Sequence, residues 1–292
     1  MVKNIKEVLV MWNARLCLGL SKQFGDDYLK QLELFKETGF DGFFVEWSDS
    51  LDIMALKQKG DELGMIFQSV HAPFVKSQFM WKNGEEAKEA KDELLRCLKD
   101  CKKADVPIMV CHAFIGFEDH SPNEYGVENY GVIVKEAEKL GIKIAFENTE
   151  GEEYLAKLME AFDDCGHVGF CWDTGHEMCY NHSKDMTALY GDRLFCTHLN
   201  DNLGIKDYSG EITYIDDLHL LPFDGIADWN DITARLNKCG YNDILTFELN
   251  TISKPGRHEN DKYARMPIEE YIAEVFVRAC CVAELKRKNP MK

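Results

Sequence analysis

Apolar positions along the chain gather into eight short runs rich in β-branched and aromatic residues, each followed by a charged stretch with helical spacing. The runs predict strands over Val8 to Trp12, Phe40 to Glu46, Met65 to His71, Pro107 to His112, Lys143 to Glu147, Val168 to Asp173, Leu194 to His198 and Asp243 to Glu248. The stretches between them predict helices, such as Asp27 to Thr38, Leu51 to Leu63, Glu85 to Ala104, Tyr125 to Leu140, Glu153 to Asp163 and Trp229 to Lys238. A final amphipathic stretch, Pro267 to Lys286, supplies an eighth helix. Gly39, Gly64, Gly141 and Gly240 stand where helix C-caps are expected.

Strictly alternating strands and helices require a parallel sheet with right-handed crossovers, and eight such units close into a barrel. The reading is a single (β/α)8 TIM barrel over residues 1 to 292. An open doubly wound sheet is the alternative. It normally carries a Gly-rich phosphate turn after its first strand, whereas this chain reads Trp12-Asn13-Ala14-Arg15 there. One connection, from Asp201 to Asp228, is long and without a clear helix, which marks a functional loop over the C-terminal face of the barrel.

Composition narrows the function. With 45% apolar residues the chain can bury a sizeable core, yet no run approaches the about 20 apolar residues of a membrane span. Met1 to Leu20 lacks the basic-then-apolar pattern of a secretory signal, so a cytoplasmic, soluble protein is expected. The formal charge of −17 repels polyanions and disfavours nucleic acid as a partner. Eleven cysteines, scattered and without a C-x-x-C pair, read as reduced and mostly buried thiols.

The candidate chemistry lies at the strand ends, where barrels carry their reacting groups. Strands five to eight end in Glu147, Asp173, His198 and Glu248. A lone carboxylate there is usually a solvated loop residue, but carboxylates converging on one barrel mouth repel unless a cation or protons neutralise them. The mixed oxygen and nitrogen set suits one divalent ion, Mn²⁺, Mg²⁺, Co²⁺ or Zn²⁺. Two residues earlier on the same strand faces stand the small Ala145, Cys171, Cys196 and Thr246, leaving room beneath the ligands. Phe146, Trp172 and Phe247 then face outward to the helices. Strands three and four add His71 and His112, His176 follows Asp173, and the long loop holds Asp217 and His219. These five form either a further metal shell or a set of substrate-orienting groups.

The runs His-Ala-Pro-Phe at His71, Phe-Glu-Asn at Glu147, Asp-Thr-Gly-His at Asp173, His-Leu-Asn-Asp at His198, Asp-x-His-x-x-Pro at Asp217 and Phe-Glu at Glu248 resemble the xylose isomerase-like TIM barrel family. That family includes sugar and sugar-phosphate isomerases and epimerases of the D-tagatose 3-epimerase type, and also the endonuclease IV type of apurinic endonuclease. The resemblance implies a single metal on Glu147, Asp173, His198 and Glu248, with Glu147 and Glu248 as the catalytic acid/base pair. For the endonucleases it implies up to three zinc ions on nine ligands, and His71, His112, Glu147, Asp173, His176, His198, Asp217, His219 and Glu248 match all nine.

Charge separates the two. Gripping duplex DNA needs cations at the barrel mouth, and the loops after strands two, three and six hold only Lys76, Lys82 and Lys184. The expectation is therefore a metal-dependent isomerase or epimerase of a small carbohydrate, by proton transfer through an enediolate, with abasic-site phosphodiesterase activity as the alternative. Trp12, Trp47 and Phe114 are candidate apolar faces for a sugar, although ordinary packing serves each equally well. Lys254 and Arg257, just past strand eight, are candidate phosphate-binding residues.

Overall fold

A computed structural model of the chain describes residues 14–118, 120–205 and 211–289. Eight parallel strands form the barrel: β1 Leu16–Gly19, β2 Gly42–Glu46, β3 Ile66–His71, β4 Ile108–His112, β5 Lys143–Glu147, β6 Val168–Asp173, β7 Leu194–His198 and β8 Leu245–Phe247. Strands β1 to β7 pair in sequence order, and β1 also pairs with β8. The ring closes between β7 and β8, where the Leu199 N–H donates to the Thr246 carbonyl at 2.8 Å. The expected (β/α)8 barrel is the observed fold.

The first strand differs from the sequence reading. Val8 to Trp12 lies outside the described residues, and the barrel position between β8 and β2 is filled by Leu16–Gly19, in register with Leu245 and Gly42. Its four residues are enough because Leu16 and Leu18 pack outward while Cys17 and Gly19 face in. Strand β8 is shorter than expected at both ends. Asp243 accepts from Arg15 and from the Ile244 N–H, and the strand ends at Phe247, one residue before Glu248.

Helices cover the outside: α1 Tyr28–Thr38, α2 Ile53–Leu63, α3 Glu85–Lys103, α4 Glu124–Leu140, α5 Glu152–Ala161, α6 Thr174–Cys179, α7 Thr187–Tyr190, α8 Trp229–Lys238 and α9 Ile268–Lys288. Side-chain caps start several of them: Asp27, Asp52, Asn123 and Asp228 each accept from backbone N–H groups of the first turn. Gly64 and Gly141 close α2 and α4 in the left-handed region, at φ 63° and 72°. Between β6 and β7, where a loop was expected, Asp173 caps the short α6. No helix among the described residues is long and apolar enough to cross a membrane.

Strand alternation divides the core as the period of two demands. Ala145, Cys171 and Cys196 join Val110 and Ile108 inside the barrel, and Cys17 packs with Phe44 and Ile244 on the other side. Phe146, Phe170, Trp172 and Phe247 face outward into the large core between sheet and helices. Packed sheet and helices thus hold the strand ends rigidly, and the polar residues there inherit that rigidity.

Candidate metal centre

Six successive strands deliver one candidate ligand each: His71 ends β3, His112 ends β4, Glu147 ends β5, Asp173 ends β6, His198 ends β7 and Glu248 follows β8. His176 comes from α6, and Asp217 and His219 from the loop between Asp201 and Asp228. All nine converge. Glu147, Asp173 and His198 are wholly buried, and Glu248 retains 28% exposure of its side chain.

Glu147 is the hub. Its Oε1 lies 2.6 Å from His198 Nδ1, and its Oε2 lies 3.2 Å from His71 Nε2 and 3.1 Å from His112 Nε2. Glu248 Oε2 reaches the same His198 Nδ1 at 3.2 Å. One ligand atom from each of Glu147, Asp173, His198 and Glu248 lies within 4.8 Å of the others. A second group joins His71, His112 and Glu147 within the same limit. On the loop side, Asp217 Oδ1 meets His219 Nε2 at 2.9 Å and His176 Nε2 at 3.4 Å.

The donor set fits a cation. His71 Nδ1 lies 2.8 Å from the Ala72 carbonyl, which can only accept, so in the neutral ring Nε2 turns a lone pair toward Glu147. Two lone-pair groups facing each other call for a bound ion or a proton between them. Burial opposes the protonated ring, but the Glu147 and Glu248 carboxylates outweigh it and raise His71 above the ordinary histidine value. His112 Nδ1, His176 Nδ1 and His198 Nε2 are buried without a hydrogen-bond partner. Buried ring nitrogens left unpaired in this way are costly.

The titrations follow from the crowding. Burial pushes the Glu147 carboxyl up, but His198, His112 and His71 outweigh it and hold the group well below its ordinary range. The same opposition, led by His198 and His219, brings Glu248 to about 2. Asp173 goes the other way, to about 6, because burial dominates and the Glu147 and Glu248 carboxylates add to it. Burial opposes the charged form of His198 and His176, yet their carboxylate neighbours raise both well above the ordinary histidine value. His112 is lowered, burial outweighing its contact with Glu147.

Sequence reasoning missed the frame around these ligands. Asn200 Nδ2 donates to Asp173 Oδ2 at 2.8 Å, and Asn148 accepts from the Asp173 N–H and donates to its carbonyl. Both asparagines sit inside the motifs that carry the ligands, which was the available signal. Phe44 stacks on His198 with ring centroids 4.8 Å apart and an interplanar angle of 18°. It also lines a cavity of ≈ 560 Å³ that reaches Glu248 between the loops of β1, β2 and β8.

Trp47 is buried beside that cavity and donates to Asp100, whereas Phe114 stacks on Tyr154 at 4.0 Å. Trp12 lies outside the described residues. Lys254 and Arg257 are brought to the mouth but face carboxylates of the long loop. Lys254 Nζ is 3.7 Å from Asp217, and Arg257 is 3.3 Å from Asp216 and donates to the Ile215 carbonyl.

The model of the xylose isomerase-like TIM barrel family matches residues 32–270. The chain belongs to that family. A curated relative, the uncharacterized protein y4fM of Sinorhizobium fredii, is 32% identical over 149 residues, 47% of this chain and 44% of that protein. The match therefore spans less than half of the relative. The solved structure of the IolI protein with a binding zinc atom has 18% identity and a TM-score of 0.72, covering 94% of this chain and 99% of that one. D-psicose 3-epimerase with D-tagatose, from Clostridium cellulolyticum H10, has 18% identity and a TM-score of 0.67, covering 95% and 100%. A xylose isomerase-like TIM barrel/4-hydroxyphenylpyruvate dioxygenase fusion protein has 16% identity and a TM-score of 0.66, covering 86% of this chain and 41% of that one. At these identities the solved structures bear on the fold.

Proposed function

We propose that this protein is a divalent-metal-dependent isomerase or epimerase of a small sugar, keto-polyol or sugar phosphate, working by proton transfer through an enediolate. The observation that carries the reading is the placement of two glutamates, Glu147 and Glu248, against one imidazole nitrogen of His198 at 2.6 and 3.2 Å. Glu147, Asp173, His198 and Glu248 would hold the ion, Mn²⁺, Mg²⁺, Co²⁺ or Zn²⁺. When bound, such an ion supplies the positive charge that makes a carbon acid next to a carbonyl accessible to a carboxylate base.

The chain's own residues divide the remaining work. One of Glu147 and Glu248 takes the proton from carbon, and the other returns a proton to the opposite face or to the neighbouring carbon. His176 orients a substrate oxygen. Phe44 gives the cavity beside Glu248 an apolar wall, which suits the C–H face of a sugar. A phosphorylated substrate would meet Lys254 and Arg257, in competition with Asp217 and Asp216. That structural relatives include sugar 3-epimerases supports the same class. Eleven free cysteines agree with a reducing, cytoplasmic setting.

The test is solvent deuterium uptake into candidate ketoses with added Mn²⁺, comparing the wild type with Glu147→Gln and Glu248→Gln. Exchange should fall to background in both variants. Exchange that survives both substitutions sinks the two-glutamate proposal.

A second reading has its own observation. The groups His71, His112 and Glu147, and His176, Asp217 and His219, provide ligands beyond one metal, as an abasic-site phosphodiesterase with up to three zinc ions requires. The charge of −17 weighs against a polyanionic substrate. Metal analysis separates the readings: about three tightly held zinc ions per chain favour the phosphodiesterase, and one exchangeable ion favours the isomerase.

A further inference from the structure

Beneath the carboxylate and imidazole ligands lies a layer of sulfur. Cys171 on β6 and Cys196 on β7 are paired in register, face the barrel interior and are wholly buried. Cys17 on β1 faces the same interior. Cys171 stands two residues below Asp173, so its Sγ points to the same side of the sheet as that ligand. The Cys171 thiol, one Glu147 oxygen and one His198 nitrogen lie within 4.8 Å of one another.

His198, common to both levels, is wholly buried, its Nδ1 is engaged by Glu147 and Glu248, and its Nε2 has no hydrogen-bond partner. Ala145, two residues below Glu147, contributes only a methyl group to the layer, which it shares with Val110 and Ile108.

We propose that Glu147, His198 and Cys171 form a second ion position one layer inside the barrel, selective for thiophilic divalent cations such as Cd²⁺. This inference rests on the metal reading given above, because two of its three ligands are shared with the set that includes Asp173 and Glu248. Sharing has a consequence: one ion cannot use Glu147 and His198 at both levels, so the positions exclude each other. Hard ions such as Mn²⁺ gain from the two additional carboxylates of the upper set, whereas soft ions gain from thiolate. On binding, the Cys171 S–H bond breaks, a sulfur–metal bond forms and one proton leaves to solvent, with no change of oxidation state. The barrel would thereby separate ions by depth, and Cd²⁺ would displace Mn²⁺ rather than join it.

The experiment uses the full chain, stripped of metal by chelator and loaded with Mn²⁺, whose binding is followed by electron paramagnetic resonance. Cd²⁺ is then added and the ultraviolet thiolate-to-cadmium absorption recorded. The wild type should develop that absorption while releasing Mn²⁺. Cys171→Ser and Cys171→Ala should keep Mn²⁺ binding, lack the absorption and need at least about tenfold more Cd²⁺ to release Mn²⁺. Cys281→Ser, which removes an exposed thiol, should behave as wild type.

Mn²⁺ binding with no thiolate absorption in the wild type overturns the inference, as does an absorption that persists in both Cys171 variants. Mn²⁺ binding in either Cys171 variant shows that it folds. A wild type that fails to bind Mn²⁺ but shows Cys171-dependent Cd²⁺ absorption overturns the upper-site reading and supports the lower position. A wild type that shows neither signal overturns both.

Discussion

Asn200 donates through Nδ2 to Asp173 Oδ2 at 2.8 Å, while the His176 N–H donates to Oδ1 at 2.7 Å, so each oxygen of this buried carboxylate is held by one fixed donor. Asn200 is itself fixed, its N–H donating to the Thr174 hydroxyl and its carbonyl accepting from it. Orienting partners of this kind are commonly worth about 10 to 100-fold in metal affinity. Asn200→Ala should weaken Mn²⁺ binding by that factor while leaving the far-ultraviolet circular dichroism unchanged. Unaltered Mn²⁺ affinity would show that Asp173 needs no such support.

Two glycines of α4 should respond to alanine with opposite sign. At Gly126 an added Cβ would lie 2.0 Å from the Trp81 ring, and that ring is wedged against Tyr154 and Tyr130. Gly126→Ala should destabilise by about 1–3 kcal/mol or more through overpacking. At Gly131 the nearest atom is Phe162 Cζ at 3.8 Å, an ordinary contact, so Gly131→Ala should stabilise by about 0.5–1 kcal/mol from helix propensity. Urea unfolding of both variants checks the pair.

Arg235 on α8, half-buried, pairs with the buried Glu177 at 2.7 Å and stacks over Trp172 at 4.5 Å, next to Asp173 on β6. Glu177 also accepts from the Trp172 indole and the Met186 N–H. Removing the guanidinium leaves a carboxylate buried without its counter-charge. Arg235→Met should therefore cost about 3–5 kcal/mol in denaturant unfolding. A loss below 1 kcal/mol, by the same measurement, would mean that Glu177 takes up a proton at little expense.

Asp224, in the long loop, binds the Tyr263 hydroxyl, Lys262 at 3.0 Å and Arg278 at 3.0 Å. Burial pushes its carboxyl up, but these partners outweigh burial and hold it below the ordinary aspartate value. A group with a depressed native pKa stabilises fully above its unfolded value, about 3.9, and loses that contribution as pH falls through the native value. Asp224→Asn should cost about 1–2 kcal/mol at pH 7. The deficit should shrink on acidification below about pH 4, which thermal unfolding across pH can follow.

Much of the centre was legible before the structure, and for a local reason. Glu147, Asp173 and His198 end strands, and Glu248 follows one, whose period of two dictates which residues face in, so Ala145, Cys171 and Cys196 could be assigned to the interior from spacing. The first strand was misplaced because Val8 to Trp12 carries the stronger apolar signal, whereas Leu16–Gly19 earns its place through pairing with β2 and β8. Contacts made through space left no periodic trace. The stacking of Phe44 on His198 and the pairing of Lys254 and Arg257 with Asp217 and Asp216 join residues far apart in the chain.

The alternating architecture and the chemical type of each strand end could be read from residue order, because both depend on residue identity and short-range spacing. It took the closed barrel to show that Glu147 stands within reach of three histidines, that Asn200 orients Asp173 and that a thiol lies close to two ligands of the centre. Those relations arise when the barrel closes, since closure brings distant strands to a common axis and converts separate charges into one coupled, buried set.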